Sequence, residues 1–168
     1  LVRQGRKVMA RRDRPGLVAL ADIAKMDSAP NTYHLGFAMA PRINAGGRIG
    51  KSDLGARLLA CADTAEAQSI AEHLDSLNSE RREIEQHVQN AALQQVESRG
   101  FDAPLVWAAG HGWHPGVVGI VAARIKEITN RPTVIIGIEN GEGKGSGRSV
   151  TGIDLGASVQ RLAREGLL

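Results

Sequence analysis

Between Thr64 and Arg99 the chain has neither glycine nor proline, and apolar positions recur at alternating steps of four and three. Ile70, Leu74, Leu77, Arg81, Ile84, Val88 and Ala91 form one stripe, apolar except at Arg81. Residues three and four apart share a helix face, so the pattern predicts one helix of about 35 residues, roughly 50 Å long. Asp63 or Thr64 is placed to cap it, Glu66 lies in its first turn, and Gly100 is its natural stop. Such a helix is too long to pack within one small domain. It is expected as a coiled-coil strand or as a rod joining two lobes. At most about three heptads, with an arginine in the seam, make the coiled coil the weaker choice.

On either side the pattern changes. Upstream it predicts short helices joined by Gly/Pro turns: one within Val2–Arg12, one from Pro15 to about Lys25, one capped by Asn31 or Thr32 and ended by Pro41, and one capped by Ser52 or Asp53 and reaching Ala62. Residues 41–50 read as a Gly-rich loop carrying Arg42 and Arg48. Downstream, Leu105–Ala109 and Pro132–Ile138 read as short buried strands, with a helix from Val117 to Ile128 opened by Pro115 between them. Lys144–Val150 is a third strand or a loop, and Asp154 caps a last helix to Arg164. The strand–helix–strand order points to a βαβ unit. The expected fold class is α/β: a helical end of a first lobe over 1–63, a long connecting α-helix over 64–100, then a partial α/β lobe with a small sheet over 101–168.

Composition narrows the function classes. An apolar content of 42% with 23% charged residues suits a folded globular chain rather than a disordered one. No apolar run approaches the ~18 residues of a membrane helix, and the first residues lack the charged and apolar regions of a signal peptide. The expectation is therefore no membrane partner. Cys61 stands alone, which excludes an internal disulfide framework and a Cys-rich zinc site and suits the reducing cytoplasm. Only five aromatic residues are present, which weighs against a sheet that stacks several bases. The net charge of +3 is uneven: residues 1–14 carry six basic groups against Asp13, whereas residues 64–100 carry three basic and seven acidic groups. The basic start can touch phosphates or simply form a solvated helix face. Because the chain starts at Leu1, it is expected to be a piece of a longer polypeptide.

Three segments can carry chemistry. In 141–149, glycines alternate with Glu142, Lys144, Ser146 and Arg148. Glycines allow close backbone approach to an anion, the serines add hydroxyl donors, and arginine grips phosphate with paired N–H groups. The spacing fits neither a P-loop nor a dinucleotide fingerprint, and a flexible hairpin tip is the plain alternative. In His111-Gly112-Trp113-His114-Pro115-Gly116, the two histidines lack a nearby third ligand for a metal. His114 beside the amides of a starting helix suits an anion better. Asn44-Ala45-Gly46-Gly47-Arg48 pairs an amide and a cation with glycines, or is a turn between helices. The aspartates are scattered, and neither a nucleophile–base set nor a metal-holding carboxylate cluster is visible.

Taken in series, these segments resemble the RecJ family of single-strand-specific 5′-to-3′ exonucleases, in the DHH phosphoesterase superfamily. The matching residues are Phe37 and Pro41-Arg42-Ile43-Asn44-Ala45-Gly46-Gly47-Arg48-Ile49-Gly50, then Leu74 to Arg82 of the long helix. They continue with Gly112-Trp113-His114-Pro115-Gly116 through Arg124, Arg131-Pro132, and Lys144-Gly145-Ser146-Gly147-Arg148-Ser149. The resemblance implies a DHH lobe and a DHH-associated lobe joined by the long helix, with single-stranded DNA between them. It implies that Ser146 and Arg148 bind a 5′-terminal phosphate. Asn44, Arg48 and Arg124 would line the DNA path, together with Arg42, His114 and Gln86. The complete enzyme would use Mn²⁺ or Mg²⁺ in DNA repair and recombination.

The family's metal-binding aspartates and its Asp-His-His triplet match nothing in this chain, and Gly46 stands where the family more often has alanine. The expectation is a monomeric cytoplasmic fragment that binds no metal, catalyses nothing alone, and relies on a missing DHH lobe. The alternatives are a DHH-type phosphodiesterase of oligonucleotides or cyclic dinucleotides, a non-catalytic nucleic-acid-binding module, or an oligomerisation rod.

Overall fold

The structure, a computed structural model, describes residues 1–167. Its central element is a 36-residue helix, α5 (Thr64–Arg99), as the periodicity predicts. Asp63 is the residue that caps it, its Oδ1 accepting the Glu66 N–H at 2.7 Å. Of the apolar stripe, Ile70, Leu74, Arg81 and Val88 are buried, whereas Leu77, Ile84 and Ala91 are partly buried, so the buried line on α5 overlaps the stripe without coinciding with it. It runs through Ala67, Ile70, Ala71, Leu74, Asn78, Arg81, Glu85, Val88, Ala92 and Val96. Three polar residues sit in its middle, and Arg81 Nη2 donates to Asn78 Oδ1 at 2.9 Å. Burial of polar groups is tolerable because hydrogen bonds and ion pairs replace water. The chain forms two compact units that divide within this helix, Leu1–Arg82 and Glu83–Leu168.

The first unit is helical. It contains α1 (Val2–Met9), α2 (Pro15–Ile23), a π-helical segment (His34–Met39), α3 (Ala40–Ile49), α4 (Leu54–Ala60) and the first half of α5. Its core is Leu20, Met39, Leu54, Leu58, Ile70, Leu74 and neighbouring alanines. Two expectations are corrected here. Residues 41–50 are not a Gly-rich loop but most of α3, and Pro41 lies in that helix's first turn instead of ending the preceding one. Proline is tolerated at that position because its missing N–H needs no partner there. Gly46 sits at a close approach: a Cβ placed there would stand 3.0 Å from the Lys51 carbonyl oxygen, 3.2 Å from Leu74 and 3.3 Å from Leu54, room that an alanine could take only if these neighbours shifted slightly. The glycine serves close packing, not a turn.

The second unit is α/β. After the rest of α5 come β1 (Val106–His111), α6 (Pro115–Thr129), β2 (Thr133–Glu139), β3 (Glu142–Arg148) and α7 (Leu155–Arg164). β1 and β2 are parallel and joined by α6, the expected βαβ unit. β3 adds antiparallel to β2, giving the order β1-β2-β3. Val106, Ala108 and Ile135 meet Val117, Val121 and Ile125 of α6 and Val88, Ala92 and Val96 of α5 in one core. Asp154 caps α7 as expected, accepting the Ala157 N–H at 2.8 Å.

Trp113 positions the turn into α6. Gly110 and Gly137 are direct partners on adjacent strands. A Cβ on Gly110 would collide with the Trp113 ring, and one on Gly137 with the Trp113 carbonyl oxygen. The paired glycines therefore make a notch that receives Trp113, which is buried.

Candidate nucleic-acid interface

β3 is a strand, not a loop or a flexible tip, and its register fixes what it presents. Asn140 and Gly141 both have positive φ, 51° and 81°, and form the two-residue connection between Glu139 and Glu142. Asn-Gly is the preferred pair for such a tight hairpin. Side chains alternate along a strand, so Glu142, Lys144, Ser146 and Arg148 share one face. Their partners on that face are Glu139, Gly137, Ile135 and Thr133. Gly143, Gly145 and Gly147 lie on the opposite face. There, with Val134, Ile136, Leu155 and Val159, they border an open apolar groove of about 670 Å³. The alternating glycines thus smooth the far face of the sheet and form no anion-cradling loop.

Ser146 and Arg148 come together. Arg148 Nη1 donates to Ser146 Oγ at 3.0 Å and to the Gly147 carbonyl at 2.8 Å. Arg148 is exposed, and among the described residues it makes no ion pair. Its charge is left uncompensated, its remaining N–H groups are available, and the Ser146 hydroxyl still has its proton to donate. A planar fork beside a hydroxyl donor suits a phosphate or another oxyanion.

His114 is the N-cap of α6, with Nδ1 accepting the Gly116 N–H at 3.0 Å. The Val117 N–H is also taken, by the His114 carbonyl. These amides are therefore engaged in capping and not open to an anion, which corrects the expectation of free amides at this helix start. His111 ends β1, exposed.

The other expected DNA contacts are placed as follows. Arg124 on α6 pairs with Glu85 at 2.5 Å and donates to Gln89 Oε1 at 3.2 Å, so it ties α6 to α5. Gln86 is exposed on α5 and donates to Asn90 Oδ1 at 2.8 Å. Arg42 donates from Nε to Asp75 Oδ1 at 2.7 Å and from Nη1 to the Ala38 carbonyl at 2.6 Å. Asn44 and Arg48 are both exposed on α3, four residues apart, and so share a face. Asn44, Arg48 and Arg42 lie in the first unit; His114, Arg124, Gln86, Ser146 and Arg148 lie in the second.

Among the described residues no group of three His, Cys, Asp or Glu side chains is placed to hold a metal ion. The donor set of the described residues does not fit a divalent-metal centre. Among the same residues no helix is long and apolar enough to cross a membrane.

Comparison with known proteins agrees with this layout. Residues 102–166 match the DHHA1 domain. The chain is 44% identical over 170 aligned residues to the single-stranded-DNA-specific exonuclease RecJ of Dickeya dadantii, covering 96% of this chain and 29% of that protein. Its fold superposes on the crystal structure of RecJ in complex with Mg²⁺ from Thermus thermophilus with a TM-score of 0.83 at 32% identity, covering 98% of this chain and 25% of the other. The crystal structure of exonuclease RecJ bound to manganese gives a TM-score of 0.83 at 34% identity, covering 99% and 40%. The chain thus spans less than a third of the length of the curated relatives it matches.

Proposed function

We propose, from a chain that resembles the RecJ exonucleases over nearly its whole length and carries a DHHA1 domain, that it forms the substrate-gripping part of a 5′-to-3′ exonuclease acting on single-stranded DNA. Ser146 and Arg148 bind the 5′-terminal phosphate. Asn44 and Arg48 contact the strand further along, with His114 and Gln86 as additional contacts. Arg124 and Arg42 act mainly by holding the helices that carry these residues. The work belongs to DNA repair and recombination in the cytoplasm, and the unit acts as a monomer.

The observation that carries this reading is the pairing of Ser146 Oγ with the uncompensated Arg148 guanidinium on one face of an edge strand. End recognition needs a compact site for a phosphate with an extra charge, and a fork plus a hydroxyl supplies it. The same reading leaves hydrolysis to a separate DHH lobe, as the resemblance to the RecJ exonucleases implies. On this reading the chain alone binds without turnover.

Fluorescence anisotropy with short single-stranded DNA, with and without a 5′-phosphate, tests the reading. Tighter binding of the phosphorylated end, lost in Arg148→Ala, supports it. Equal affinity for both ends in the wild-type chain overturns it.

A further inference from the structure

We propose that Gly119 is the positioning residue that gives the Ser146–Arg148 site its shape, and that its missing side chain is what lets the site choose a terminal phosphate. This rests on the end-binding reading above. Gly119 lies within the 15-residue α6, between the buried Val118 and Val121. Glycine there weakens the helix relative to alanine, because the unfolded backbone has more freedom to lose. Helix formation alone does not account for it.

The space in front of Gly119 explains it. A Cβ placed there would stand 3.1 Å from Arg148 Nη2, 3.2 Å from Ser146 Oγ and 3.6 Å from Ser146 Cβ. The three nearest atoms all belong to the two side chains of the anion site. None is core packing and none is backbone. Ile135, the strand partner of Ser146, is fully buried in the same core as α6, so β3 cannot slide away to make room. The flexible Arg148 side chain can swing aside instead. A methyl group at 119 would thus leave the fold intact and move the guanidinium off the serine hydroxyl.

The two effects of Gly119→Ala have opposite signs. The helix gains, so the thermal unfolding midpoint holds or rises. The site loses the alignment of one charge-assisted hydrogen bond, so the preference for a 5′-phosphorylated over a 5′-hydroxyl oligonucleotide falls by about tenfold. Affinity for the 5′-hydroxyl strand stays unchanged. A merely structural glycine would instead lower the midpoint and weaken both ligands together.

The test is thermal unfolding and anisotropy on the wild-type chain and Gly119→Ala, with both oligonucleotides. A preserved or raised midpoint with lost end preference supports the proposal. Retained preference in the variant overturns it while leaving the end-binding reading standing. A destabilised or unfolded variant also overturns it, because the obstructing atoms would then not be free side-chain ends. A wild-type chain without end preference overturns both.

Discussion

Arg124 of α6 reaches Glu85 of α5 at 2.5 Å, and the two partners differ sharply in exposure: the arginine side chain is 47% exposed, the glutamate 2%. A buried carboxylate that loses a counter-charge is costly, though the half-exposed arginine moderates the loss. Arg124→Ala is expected to lower the stability of the chain by about 2 kcal/mol, measured by urea unfolding. DNA affinity at a temperature where the variant is folded should change little. A loss of affinity with unchanged stability would return Arg124 to the DNA path.

Arg42 behaves alike in the other unit. It joins Asp75 of α5 to the Ala38 carbonyl, where the π-helical segment passes into α3. Arg42→Ala should cost about 1–2 kcal/mol, read as a lower thermal midpoint. Arg48→Ala, on the exposed face of the same helix, should weaken DNA binding.

The glycine notch under Trp113 makes a third prediction. Gly137→Ala would drive a methyl group into the Trp113 carbonyl, a backbone obstacle that cannot rotate away. Overpacking of this kind costs about 1–3 kcal/mol. Urea unfolding followed by tryptophan fluorescence should show an earlier midpoint, in contrast to Gly119→Ala, whose midpoint is expected to hold or rise.

Salt dependence separates phosphate contact from other binding. If Arg148 neutralises one phosphate, Arg148→Ala should reduce the slope of log K against log salt by about 0.7, the single-strand value for one lost contact. Anisotropy titrations across a range of salt concentrations measure it. An unchanged slope would mean that Arg148 touches no phosphate.

Local signals that depend on backbone chemistry are readable in the sequence. The gap without Gly or Pro marks α5, Asp63 and Asp154 mark its cap and that of α7, and the strand–helix–strand order marks the βαβ unit. Residues 41–50 mislead because Gly46 and Pro41 look like turn residues, whereas Gly46 is small for contact with Leu74 and Pro41 sits where helices accept it. The apolar count finds Ile70, Leu74, Arg81 and Val88 of the buried line of α5 but misses Asn78 and Glu85, which are polar. At the site, Asn140-Gly141 is a hairpin signal, and with it strand alternation places Ser146 and Arg148 on one face. Nothing in the order of residues foretells that Arg124 and Arg42 have their guanidinium groups committed to Glu85 and Asp75, because those contacts depend on tertiary structure.

The most direct test of end recognition is an amide-shift titration of the isotope-labelled chain with a short oligothymidylate, 5′-phosphorylated in one series and 5′-hydroxyl in the other. Ser146, Gly147 and Arg148 of β3, with Gly119 of α6, are expected to shift most and only with the phosphorylated end. Equal shifts in both series, or shifts confined to the basic α1 around Arg3 and Lys7, would contradict it.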